Sequence, residues 1–74
     1  MKLFDKKLGA YYLLEMTQNN TGDITITLYK KWDKHSGYEA TDNILHFSRL
    51  EREKALVVYN TINLKTLRTR FNWK

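Results

Sequence analysis

The stretch Ile24-Thr25-Ile26-Thr27-Leu28-Tyr29-Lys30-Lys31-Trp32 alternates apolar and polar residues, the period of a strand with one buried face. It directs Ile24, Ile26 and Leu28 inward and Thr25, Thr27, Tyr29 and Lys31 outward, and predicts a strand over residues 23–32. Before it, Gln18-Asn19-Asn20-Thr21-Gly22-Asp23 gathers residues that tolerate or supply left-handed backbone angles and so predicts a hairpin turn. The Asn19-Asn20-Thr21 sequon therefore reads as turn chemistry. Tyr11-Tyr12-Leu13-Leu14-Glu15-Met16-Thr17 is short and β-prone, giving a strand over residues 10–17. After Trp32, the polar connection Asp33-Lys34-His35-Ser36-Gly37 leads to a less regular strand over residues 40–47, ending in Ile44-Leu45-His46-Phe47. Three antiparallel strands joined this way form a meander.

Ser48-Arg49-Leu50-Glu51 has the form of a capping box and starts a helix over residues 49–62. At 100° per residue Ala55, Val58, Tyr59 and Ile62 share one stripe, wide enough to cover one face of a sheet, while Arg49, Arg52, Glu53 and Lys54 point to solvent. Asn60, Thr61 and Asn63 are weak helix formers and end it. The segment 64–74 supports two readings. Period two groups Leu67, Thr69, Phe71 and Trp73; helical period groups Leu64, Leu67 and Phe71. Threonine and aromatic content favours the strand. The expected architecture is α+β: a three-stranded antiparallel meander with one helix packed on one face, plus a short C-terminal strand or helix, all in a single domain over residues 1–74.

A chain of 74 residues hides only about 60–65% of its unfolded surface on folding, leaving room for one modest core. Such chains usually lean on disulfides, a metal or a partner subunit. Cysteine is absent, so disulfides are excluded, and a cytoplasmic location is the expectation. The N-terminal Met1-Lys2-Leu3-Phe4-Asp5-Lys6-Lys7 lacks the apolar core of a signal peptide, and no apolar run reaches membrane-span length. The net charge of +5 lies at one end. Residues 1–48 hold six lysines against six acids; residues 49–74 hold seven bases against Glu51 and Glu53. A partner for that half would be acidic.

Enzyme chemistry leaves little trace. His35 and His46, the two histidines, stand in no metal-ligand spacing. Ser36 beside His35 is adjacency without a triad, and Ser48 is explained as a helix cap. Asp33, Glu39 and Asp42 fall in or near one loop, where paired carboxylates would need a pocket that this core is too small to supply. Gly9, Gly22 and Gly37 are isolated, so no phosphate-cradling loop is present. No catalytic residue, cofactor or metal is therefore expected.

Two surfaces remain. The first follows the outer face and exit of the best strand: Tyr29, Lys30, Lys31, Trp32 and Lys34, with His35 and Tyr38 close behind. Interleaved rings and ammonium groups suit a protein interface, where exposed Tyr and Trp act as anchors, and also suit nucleic acid, where rings stack on bases. The second is the C-terminal row Arg68, Arg70 and Lys74 with Phe71 and Trp73, whose charges would meet phosphates with little sequence preference. The expected function is a small non-enzymatic accessory protein that blocks or modulates a macromolecular partner with an acidic surface, protein or nucleic acid, by stoichiometric binding, a nucleic-acid-handling protein being one candidate. The alternative is direct DNA or RNA binding through the basic C-terminal half. No membrane partner is expected, and an open sheet face leaves room for a homodimer. In composition the chain is similar to accessory proteins of phages and mobile elements: Lys, Asn, Tyr and Ile make up 24 of its 74 residues, as AT-rich coding would give.

Overall fold

The computed structural model describes residues 1–67. Its architecture is α+β, with an antiparallel sheet followed by one helix. The strands are β1 (Lys2–Leu8), β2 (Tyr12–Gln18), β3 (Ile24–Lys30) and β4 (Glu39–Phe47), and they lie across the sheet in chain order. A 3-10 turn (Arg49–Glu51) leads into helix α1 (Arg52–Thr61).

The sheet therefore has four strands where the sequence suggested three. The added one, β1, hides its period for a physical reason: its register against β2 shifts between Lys2 and Phe4, so Leu3 falls out of phase with the residues on either side. It is also an edge strand, and Lys2, Asp5, Lys6 and Lys7 give it the charged character that discourages pairing with a stray chain. Gly9 turns β1 into β2 at φ +69°, the left-handed region, and a Cβ there would sit 2.8 Å from Cδ1 of Leu64.

The β2–β3 hairpin forms where the turn chemistry placed it. Asn19 Oδ1 accepts from the amides of Thr21 and Asp23, each at 3.0 Å, and from the Thr21 hydroxyl at 2.7 Å. Gly22 takes φ +90°. The resulting register sets Leu14 opposite Leu28 and Met16 opposite Ile26, while β4 adds Leu45 opposite Ile26 and Phe47 opposite Ile24. Ile24, Ile26 and Leu28 are fully buried, as their alternation predicts.

Helix α1 closes this face. Ala55, Tyr59 and Ile62, with Leu67 beyond, complete a core with Leu8, Leu14, Met16, Ile24, Ile26 and Leu28. Burying a side chain of this size stabilises by about 1.5–3 kcal/mol, most of it offset by the chain entropy lost on ordering. Glu51 accepts from the Ser48 amide at 3.1 Å, and that bond holds its carboxyl below its ordinary pKa. The first turn is 3-10, so the α-helix proper starts at Arg52. Its last turn carries no basic residue. Lys6 of β1 fills that role: its Nζ donates to the Tyr59 carbonyl at 2.9 Å and lies 4.7 Å from the Tyr59 ring centroid. Partial burial pushes the Lys6 ammonium below its ordinary pKa.

The start of the C-terminal segment departs from the favoured strand. Residues 63–66 form a turn in which Asn63 Oδ1 accepts from the amides of Lys65 (2.8 Å) and Thr66 (3.1 Å), and Thr66 Oγ1 accepts from the Asn63 amide (2.9 Å). This reciprocal pair resembles a capping box and opens a helical turn at Leu67. No described helix is long and apolar enough to cross a membrane.

Candidate macromolecular interface

The hairpin register carries β2 and β3 past the core to one end of the sheet, where Tyr12 stands directly opposite Lys30. Both lie half-buried on the face that holds Leu14 and Leu28, and Tyr12 packs against the margin of the core. The Lys30 ammonium sits 4.6 Å from the Trp32 ring centroid and 5.9 Å from that of Tyr12. One residue on, the pleat sends Lys31 to the other side, and its ammonium lies 5.1 Å from the Tyr38 centroid. Two lysines and three rings thus meet at one end of the molecule. An ammonium over a ring face is worth about 0.5–1 kcal/mol when exposed, enough to limit the wandering of both side chains.

Trp32 is 69% exposed, the largest exposed ring among the described residues. It is held by more than Lys30: its Nε1–H donates to Glu39 Oε2 at 3.2 Å. The loop beyond is ordered by Asp33, whose Oδ1 accepts from the amides of His35 and Ser36 (2.8 Å each) and from the Ser36 hydroxyl (2.9 Å). These bonds, the His35 amide foremost, hold the Asp33 carboxyl below its ordinary pKa. An acid that organises the loop presenting Tyr38 is thereby kept ionised.

Of the residues singled out in the sequence, Lys31, Trp32 and Tyr38 come together here, and Lys34 is exposed on the connecting turn. Tyr29 does not join them. It is half-buried on the open face of the sheet, where its hydroxyl donates to Glu15 Oε1 at 3.3 Å. Burial foremost, then the Glu15 charge, raises the Tyr29 pKa and keeps the phenol protonated. Arg68, Arg70, Phe71 and Trp73 lie outside the described residues.

Sequence reasoning placed Lys30 on this surface but did not place Tyr12 or Glu39 there. The signal for Tyr12 was present: once the turn is centred on Thr21, the inward set Leu14, Ile24, Ile26 and Leu28 forces Tyr12 opposite Lys30. Glu39 gave no such signal, because its contact with Trp32 depends on how the loop 31–38 folds back.

The residues weighed for catalysis hold other positions. The Ser36 hydroxyl donates to Asp33, not to His35. His46 is exposed on β4 opposite Thr25. Among the described residues no three His, Cys, Asp or Glu side chains gather as a metal site would require. Comparison with protein-family models, with curated proteins and with solved structures gives no match, so the reading of this surface stands on its own geometry.

Proposed function

We propose that this protein is a small non-enzymatic accessory protein that acts by stoichiometric binding, blocking or modulating a partner protein whose surface is acidic. The contact surface is the sheet end built from Tyr12, Lys30, Lys31, Trp32 and Tyr38. The observation that carries this reading is Lys30 stacked on the open ring of Trp32, beside the Lys31–Tyr38 pair. Pre-ordered rings lose little rotamer freedom on docking and bury large area, the properties of interface anchors. Flanking ammonium groups select an acidic counterpart and speed encounter. A protein that itself handles nucleic acid fits this role where it carries an acidic patch apart from its own basic groove.

The same rings and charges also fit a single-stranded nucleic acid, whose bases stack while its phosphates meet the lysines. One experiment separates the two. The protein and its Trp32→Ala and Lys30→Glu variants are each immobilised and exposed to host extract, and each is titrated with labelled oligonucleotides at two salt concentrations. A protein retained by the parent chain and released by both substitutions, with oligonucleotide binding absent, supports the first reading. Oligonucleotide binding that weakens steeply with salt replaces it with the second. Binding that neither substitution alters removes this surface from the function.

A further inference from the structure

The two edges of the sheet are built differently. β1 carries three lysines in seven residues, whereas β4 from Asn43 to Phe47 contains no lysine, arginine, carboxylate or proline, and no described strand pairs with its outer side. Opposite Leu28 β4 is bulged, with Thr41, Asp42 and Asn43 standing against that one residue. Along Ala40–Phe47 exposure alternates strictly: Ala40, Asp42, Ile44 and His46 are exposed, and Thr41, Asn43, Leu45 and Phe47 are half-buried. Thr41 Oγ1 donates to the Leu28 carbonyl at 2.8 Å, closing the ladder on the β3 side.

We propose that β4 is a self-pairing edge, at which two copies of this chain join β4 to β4 antiparallel about a two-fold axis at Ile44, merging two four-stranded sheets into one. The occupant is a second copy because the strand complements itself in that register. Ile44 meets Ile44, and Asp42 stands opposite His46 twice, once on each side of the axis, all on the open face. On the other face Thr41 meets Phe47 and Asn43 meets Leu45. On the open face, moving the axis to Asn43 sets Asp42 against Ile44 and moving it to Leu45 sets His46 against Ile44, so each shift there opposes a polar side chain to the isoleucine that the chosen register pairs with itself. Ile44 is 40% exposed in the single chain, apolar surface that the pairing covers. This surface is distinct from the aromatic–lysine end, so a dimer presents that end twice, and loss of one need not remove the other.

The test exploits the cysteine-free sequence. In Ile44→Cys the one thiol faces its own copy across the axis, within the reach of a disulfide, and under mild oxidation it is expected to cross-link roughly tenfold faster than Asp42→Cys, His46→Cys or the loop control Asn20→Cys. Mixing Asp42→Cys with His46→Cys is expected to cross-link faster than either alone. In sedimentation equilibrium on cysteine-free chains, Asp42→His and His46→Asp should each weaken the dimer by about 2–30-fold, and the double exchange should restore it. The altered positions are exposed or nearly so, and circular dichroism checks that each variant folds. A chain that stays monomeric up to about 1 mM overturns the proposal. So does a dimer in which Ile44→Cys cross-links no faster than Asn20→Cys, or in which the double exchange fails to rescue.

Discussion

Two of the lysine–ring contacts among the described residues have nearly the same distance: Lys6 lies 4.7 Å from the centroid of Tyr59, and Lys30 lies 4.6 Å from that of Trp32. The chemistry is shared and the surroundings are opposite. Tyr59 is 5% exposed and belongs to the core with Leu14, Ile26 and their neighbours, while Trp32 is 69% exposed, its ring met by Lys30 and its Nε1–H by Glu39. At the first place the pair fastens β1 to the end of α1; at the second it holds a ring ready in solvent. A contact between two residue types therefore has no fixed role until the burial around it is known.

The largest effect that would sharpen this contrast is on stability. Tyr59→Ala removes a buried ring and the floor under Lys6, and is expected to destabilise the fold by about 3–5 kcal/mol, comparable to the whole stability of a chain this short; urea melts followed by circular dichroism measure it. Trp32→Ala should leave the same melt within about 0.5 kcal/mol while weakening partner binding by roughly 2 kcal/mol or more. If Trp32→Ala instead unfolds the protein, the comparison fails. Lys6→Met keeps the aliphatic stem but loses the charge, removing the bond to the Tyr59 carbonyl and the ring contact, for an expected loss of about 1–2 kcal/mol. Lys30→Met should alter the melt far less.

Two smaller effects test finer points. The Tyr59 hydroxyl is buried and lacks a hydrogen-bond partner among the described residues. Tyr59→Phe is therefore expected to leave stability unchanged or raise it by about 0.5–1 kcal/mol, and a clear loss would reveal a partner for that oxygen. At the solvent end, Asp33 is the pH-sensitive element. Its folded pKa lies below the ordinary value of 3.8, so its contribution to loop order is full above that value and disappears as pH falls through the lower, folded one. Amide chemical shifts of His35 and Ser36 in an acid titration should move together below pH 3.8 while those of the core strands stay fixed.

Much of the fold could be read in the residues because it rests on local periods. Ile24, Ile26 and Leu28 announced β3; Asn19 and Gly22 announced the hairpin; Ala55, Val58, Tyr59 and Ile62 announced the helix face, of which Ala55, Tyr59 and Ile62 are buried and Val58 partly so. What stayed hidden has a common cause, in that it depends on a second element. β1 looks polar and irregular until its lysine is seen capping α1 from another strand. Asn63 is a poor helix former, which correctly ends α1, yet with Thr66 three residues later it also opens the next turn. Threonine and aromatic content favoured a strand over 64–74, but of its described residues 64–66 are turn and Leu67 is helical. The interface was half legible for the same reason: Lys31, Trp32 and Tyr38 are close in sequence, whereas Tyr12 reaches Lys30 only through the hairpin register, and Tyr29, though adjacent in sequence, is turned away by the pleat.

Chain-order topology has a consequence for how the protein is made. Each strand pairs with the one synthesised just before it, so the sheet assembles from short-range hairpins, the kind of contact that forms fast. Its lid arrives late. Hairpins close in about 1–10 μs, whereas the lid docks only once residues 49–67, the last of the described chain, are free of the ribosome as well. Until then Leu14, Met16, Ile24, Ile26 and Leu28 lie on an uncovered apolar face of the nascent chain. That face is a surface the folded protein never shows, and chaperone capture or aggregation competes with folding until it is closed.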